Sequence, residues 1–247
     1  MTGNALLQLD GVTKRFRGLV ATNEVSLSVP KGSICSLIGP NGAGKSTIFN
    51  LVTGYLPLSE GEIHFDGRRI DGLSTRQVSH LGVARAFQIA RPFPDLTVED
   101  NIRIGALFGR EGARDVHEVT EAALILCGLD ELRTRQAVGL TVGNLRRLEL
   151  ARAIAARPHL LLADEPCAGL NPSETDEILV ILRAIRDRGV TVLLVEHDMS
   201  AVMRVSEHIF VLDAGRKIAE GSPEEVARNP EVIAAYLGTP TEEVEGV

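Results

Sequence analysis

The chain has 247 residues, 44% hydrophobic and 24% charged, which suits one large globular domain or a domain carrying a small lobe. Acidic residues outnumber basic ones, 33 to 26, and the net charge of -7 argues against nonspecific binding to nucleic acid. Cys35, Cys127 and Cys167 are too widely separated for a zinc spacing and too few for a disulfide framework, so reduced thiols are expected.

In chain order, the opening MTGNALLQLD lacks the basic region of a signal peptide. No apolar run reaches the roughly 18 residues a membrane helix needs, so any service to a membrane is expected to pass through a partner. Residues 5–29 and 61–70 alternate polar and apolar positions, with a tight turn at Phe65–Gly67, and predict an antiparallel β layer. SICSLIG (33–39), HLLLAD (159–164) and VTVLLVEHD (190–198) are nearly continuous in apolar residues, as parallel strands covered on both faces should be. Residues 98–157 read as mostly helical, with breaks near Gly109–Gly112 and Ala137–Gly143, forming a lobe inserted between two core strands. Gly54, Gly128 and Gly189 mark helix ends, and the polar tail TPTEEVEGV is expected to fray.

GPNGAGKST lies between a predicted strand and the predicted helix STIFNLVTG, matching G-x-x-x-x-G-K-[ST] in its required context. Gly39, Pro40, Asn41, Gly42, Ala43, Gly44, Lys45, Ser46 and Thr47 are therefore nucleotide-binding candidates. The glycines let successive backbone N–H groups turn towards phosphate oxygens. Lys45 would neutralise the terminal phosphates, and Ser46 would offer a hydroxyl to Mg²⁺. This loop alone leaves kinases, GTPases and ATPases open, although no N-K-x-D segment is present to read guanine.

LLLADEP places Asp164 and Glu165 together at the end of an apolar strand. Two adjacent carboxylates there are costly without a cation. Asp164 is the expected Mg²⁺-side residue and Glu165 the expected general base for the attacking water. His197 and Gln88 are each expected to end a strand nearby, with the Gln88 amide able to reach Mg²⁺ or water.

The order of these motifs resembles the nucleotide-binding subunit of ABC transporters, from Leu6 to about Gly238. The resemblance implies an α/β P-loop NTPase (RecA-like) core, an antiparallel β layer and an inserted helical subdomain. The expected division is 5–97 plus 158–238 for the core and β layer, 98–157 for the helical subdomain and 239–247 for the tail. It also implies that Phe16 stacks on adenine, although a core aromatic of the β layer is the other reading. Gln88 becomes the Q-loop residue, His197 the switch histidine, and GLNP (169–172) the D-loop.

LTVGN (140–144) falls where the family carries L-S-G-G-Q, which contacts the ATP bound to the opposite subunit. Thr141 keeps a hydroxyl, Gly143 keeps close backbone approach, and Asn144 shortens the glutamine amide. One weakened neutral hydrogen bond costs about 0.5–1.5 kcal/mol, enough to slow a site without abolishing it.

Finer segments, including TKRFRGLVAT, LGVARAFQ, RPFPDLTVEDN, DEPCAGLNPSET and VIAAYLG, resemble the branched-chain amino acid importer group. That resemblance implies ATP and Mg²⁺, a second nucleotide-binding subunit, heteromeric by preference with a homodimer as the alternative, and membrane permease subunits served by a substrate-binding protein. It places the chain at the cytoplasmic face of the membrane. Phe93, Pro94 and Leu96 would line the groove that receives the membrane subunit. Urea, amide and lipopolysaccharide systems remain alternatives for the cargo, and a soluble ABC-type ATPase remains one for the class.

Overall fold

A computed structural model describes residues 5–110, 112 and 114–237; the tail expected at 239–247 lies outside them. The first strands, β1 (Ala5–Phe16) and β2 (Leu19–Pro30), form an antiparallel pair. In β2, Val25, Leu27 and Val29 are buried while Ser26 and Ser28 face out, the period-two pattern of a sheet with one wet face. β3 (Ile34–Ile38) is buried at every position and runs into α1 (Lys45–Val52). β4 (Glu60–Phe65) pairs with β1 and turns through Asp66–Gly67, both at positive φ, into β5 (Arg68–Arg69). This is the two-residue hairpin geometry expected from FDG. The first sheet has the order β2-β1-β4-β5.

α2 (Thr75–Leu81) precedes β6 (Val83–Ala86). The inserted lobe follows as α3 (Val98–Phe108), α4 (Val116–Leu126) and α5 (Val142–Ala155). The chain then returns to the sheet as β7 (Leu160–Asp164), immediately beside β6. α6 (Pro172–Asp187), β8 (Thr191–Val195), α7 (Met199–Val205), β9 (His208–Asp213), β10 (Arg216–Gly221), α8 (Pro223–Ala227) and α9 (Pro230–Leu237) complete the described chain. The second sheet has the order β10-β9-β3-β8-β7-β6, parallel except for β10.

Side-chain alternation divides the core across this sheet. Leu162 and Leu193 pack with Phe49 of α1 and with Leu7, Leu9 and Ile63 of the β layer. Leu161 and Leu194 pack on the opposite face with Ile178 of α6 and with Ile102, Leu124 and Leu148 of the lobe. Both faces are covered, which explains why β3, β7 and β8 carry almost no polar residues. Burial pushes the Cys35 thiol up to about 11 and the Cys127 thiol up to about 12, and it raises Cys167 as well. All three are free cysteines in buried positions.

Two expectations shift. α4 ends just before Gly128, as expected, but the lobe then stays interrupted over 127–141 and not only at 137–143, because two short 3₁₀ turns intervene. Gln88 and His197 do not end strands: β6 stops at Ala86 and β8 at Val195. Their last partners, Ala163 and Asp164, lie at the rim of the sheet, and beyond it no ladder remains to hold the chain extended. Both side chains therefore sit on loops at the carboxyl edge, where open α/β sheets place their ligand crevice.

Candidate functional site

The loop after β3 turns back on itself through glycines at positive φ, 148° at Gly39 and 83° at Gly42. A Cβ at Gly39 would fall on the carbonyl oxygen of Leu212, so backbone packing as well as φ demands glycine there. At Gly42 a Cβ would meet nothing within 4 Å, so only its backbone conformation restricts the residue. Gly44 caps α1 without any side-chain acceptor, which leaves the first helical N–H groups to a ligand.

Lys45 is buried, and its Nζ donates to the carbonyls of Gly39 at 2.7 Å and Pro40 at 2.9 Å. Burial lowers its pKa from the ordinary lysine value, while the negative charges of Glu165 and Asp164 oppose that shift. The ammonium is thus a cation held by its own loop and facing two carboxylates. A cavity of about 540 Å³ opens beside it, lined by Asn41 to Thr47, Phe16, Glu165 and His197, among others. The Phe16 ring is 40% exposed, and Lys14 Nζ lies 4.9 Å from its centre. Phe16 is therefore not a buried core aromatic of the β layer, and it borders the cavity.

Glu165 follows β7 with φ 49°, a conformation that few non-glycine residues adopt. Its Oε1 lies 2.7 Å from His197 Nε2, and its Oε2 accepts from the Gln88 amide. The structure therefore brings Gln88, Glu165 and His197 into one hydrogen-bonded group, of which Glu165 and His197 line the cavity and Gln88 does not. Asp164 lies behind them, and its Oδ2 accepts from Arg85 at 2.5 Å.

Thr141, Gly143 and Asn144 are not among the residues lining this cavity. They sit at the N-terminus of α5, where Thr141 Oγ1 accepts from the Asn144 N–H at 3.3 Å. Its own hydroxyl proton is left to donate. A Cβ at Gly143 would lie 2.8 Å from Glu174 Oε1, so the glycine admits the first turn of α6.

The sequence reading missed three polar ties. Glu196 is buried and accepts the N–H groups of Cys167 at 2.7 Å and His197 at 3.1 Å. Burial raises its carboxyl above the usual range despite these donors. It joins the loop after Glu165 to the loop bearing His197, and a lone carboxylate closing the run TVLLVE was the available signal. Arg146 donates to the carbonyls of Gln88 and Ala168, and Arg85 pairs with Asp164. Neither arginine has a local signal, because both partners are distant in sequence.

A family model for the ABC transporter matches residues 22–168, and one described as a branched-chain amino acid ATP-binding cassette transporter matches 216–241. The chain is 41% identical to the high-affinity branched-chain amino acid transport ATP-binding protein BraF of Pseudomonas aeruginosa, across 94% of this chain and 98% of the relative. It is similar to a crystal structure of an ABC transporter's ATP-binding cassette in its ADP conformation, with TM-score 0.86 and 30% identity over 96% of this chain and all of the other. It also resembles a dimeric post-hydrolysis cassette bound to ADP and Pi, with TM-score 0.78 and 25% identity over 88% of this chain and 98% of the other. The chain belongs to the ABC transporter family, as one of its ATP-hydrolysing cassettes.

Proposed function

We propose that the chain is the ATP-hydrolysing subunit of an importer for branched-chain or other hydrophobic amino acids, acting at the cytoplasmic face of the membrane. The observation that carries the chemical part is the group formed by Glu165, His197 and Gln88 beside the loop of Lys45. The name and high identity of the relative support the cargo.

Phe16 stacks on the adenine ring, while the N–H groups of the Gly39–Thr47 loop and Lys45 hold the phosphates. Ser46, Gln88 and Asp164 offer hydroxyl, amide and carboxylate oxygens, a hard donor set that fits Mg²⁺. Gln88 donates through its amide nitrogen and Asp164 accepts from Arg85 through Oδ2, so Gln88 Oε1 and Asp164 Oδ1 face no partner in these bonds. A bound Mg²⁺ would neutralise charge on the β- and γ-phosphates. Glu165 takes a proton from the attacking water, and His197 holds that carboxylate in place. Replacing Phe16 with alanine is expected to raise the Kd for ATP by about 5–150-fold, the equivalent of ~1–3 kcal/mol of stacking. Isothermal titration checks this; unchanged affinity would return Phe16 to a purely structural role.

The N-terminus of α5, where Thr141 and Val142 are exposed, Asn144 is half-buried and Gly143 is buried, suits a site completed across a dimer. Thr141, Gly143 and Asn144 then approach the ATP held by a second nucleotide-binding subunit, which we take to be a different chain. Asn144→Gln lengthens the amide and is expected to accelerate that site by a few-fold, about one neutral hydrogen bond. Steady-state turnover of the assembled pair tests it, and unchanged turnover and ATP affinity would sink the idea.

Among the described residues, no helix is long and apolar enough to cross a membrane. Contact with permease subunits is assigned to a groove of about 630 Å³ between α2, β6, α3 and α5, lined by Tyr55, Phe87, Phe93 and Phe108 among others. Of the three residues expected at the permease contact, Phe93 lines this groove, whereas Pro94 and Leu96 are not among its lining residues. The substrate-binding protein would act through the permease, and nucleic acid has no part in this reading.

A further inference from the structure

Arg85 belongs to β6, yet its bonds reach two other elements. One Nη donates to Asp164 Oδ2 at 2.5 Å, at the end of β7. The other donates to Asn50 Oδ1 at 2.7 Å, on α1. Asn50 lies four residues after Ser46, one turn along the same helix face. A single guanidinium therefore touches one of the proposed Mg²⁺ ligands and the helix that carries another.

It is also fixed in place. The Phe87 ring centre lies 4.8 Å and the Phe49 ring centre 5.6 Å from the guanidinium carbon. The side chains of Arg85 and Asp164 are only 12% and 7% exposed, so water screens their attraction poorly. Asp164 thus already holds a cation on one oxygen. A divalent ion arriving at the other must share that carboxylate with a like charge that the two rings and Asn50 keep from moving away.

Resting on the proposed ATP site, we infer that Arg85 is a positioning residue that weakens Mg²⁺ at Asp164. It acts as a resident counter-cation there. It keeps Asp164 neutralised and oriented when no metal is bound, and it holds the metal's affinity low enough for Mg²⁺ and ADP to leave after hydrolysis. Its effect is an antagonistic coupling between the fixed guanidinium and the incoming ion.

The direction of the effect separates this role from a merely structural one. Damage to the site would weaken Mg²⁺ binding, whereas removal of a competing charge strengthens it. The test is the Mg²⁺ concentration that half-saturates binding of ADP, read by a fluorescent ADP analogue without turnover. Arg85→Met, which keeps the length of the stem and drops the charge, is expected to lower that concentration by about fivefold or more, the ordinary range of site-to-site coupling. Arg85→Lys retains a charge but cannot hold Asp164 and Asn50 together, and should move the same way by a smaller factor. It decides the matter if the methionine variant does not fold. No change, or a rise, in a folded variant overturns the inference. Failure of the unaltered protein to bind ADP at all would overturn the ATP-site reading, and the inference with it.

Discussion

Glu165→Gln is expected to lower ATP turnover by about 10²–10⁴-fold, the usual worth of a general base, while ATP still binds. The substitution keeps the shape of the side chain but removes its charge and basicity, and it replaces one of the two acceptor oxygens that face Gln88 and His197 with a donor. Nothing in the phosphate loop is touched, and Lys45 keeps its bonds to the carbonyls of Gly39 and Pro40. ATP should therefore accumulate uncleaved and hold the paired subunits closed, visible as an ATP-dependent increase in size by gel filtration. Radiolabelled phosphate release gives the rate. Hydrolysis near the unaltered level would remove Glu165 from its assigned role.

Gly39→Ala should be much more damaging than Gly42→Ala, although each adds one methyl group to the same loop. At Gly42 the new Cβ meets open space, and the cost is the strain of a non-glycine residue at φ 83°, about 1–3 kcal/mol. At Gly39 it meets the Leu212 carbonyl oxygen, which belongs to β9 and is held by the sheet. Either the loop or the strand end must move, adding about 1–3 kcal/mol of overpacking. Gly39→Ala is thus expected to melt at least about 2–4 °C below Gly42→Ala, and to lose about tenfold or more in ATP affinity as the cradle shifts. Differential scanning calorimetry and ATP titration check the pair, and equal melting temperatures would contradict the packing argument.

The parts of this site that were legible in the sequence are those whose chemistry is local. Gly39–Thr47 declares itself because the turn, the lysine and the helix start are contiguous. Asp164 and Glu165 stand out as two charges ending an apolar run. The parallel core was equally plain, since strands buried on both faces leave no room for polar alternation.

Long-range polar pairing was not legible. Arg85 and Asp164 are 79 positions apart, and nothing near Arg85 in sequence marks its partner. Glu196 read as part of a strand end, yet its carboxylate closes two loops. The start of the interruption over 127–141 was legible in Gly128, which follows the end of α4 at positive φ, but nothing local showed that no α-helix resumes before Val142. The strand ends at Ala86 and Val195 depend on where neighbouring strands stop, a property of the sheet rather than of either segment.

The central claim is that each ATP is hydrolysed between the loop of one subunit and the α5 N-terminus of another. Its most direct test is Mg-ATP turnover per mole of chain across a wide range of concentrations. It should be measured alone and with the second nucleotide-binding subunit, with Glu165→Gln as the blank. The account predicts that turnover per site rises with the concentration of whichever subunit completes the pair, then levels off. Turnover per site that is already maximal at the lowest concentration and indifferent to any partner would show a self-sufficient site and contradict it.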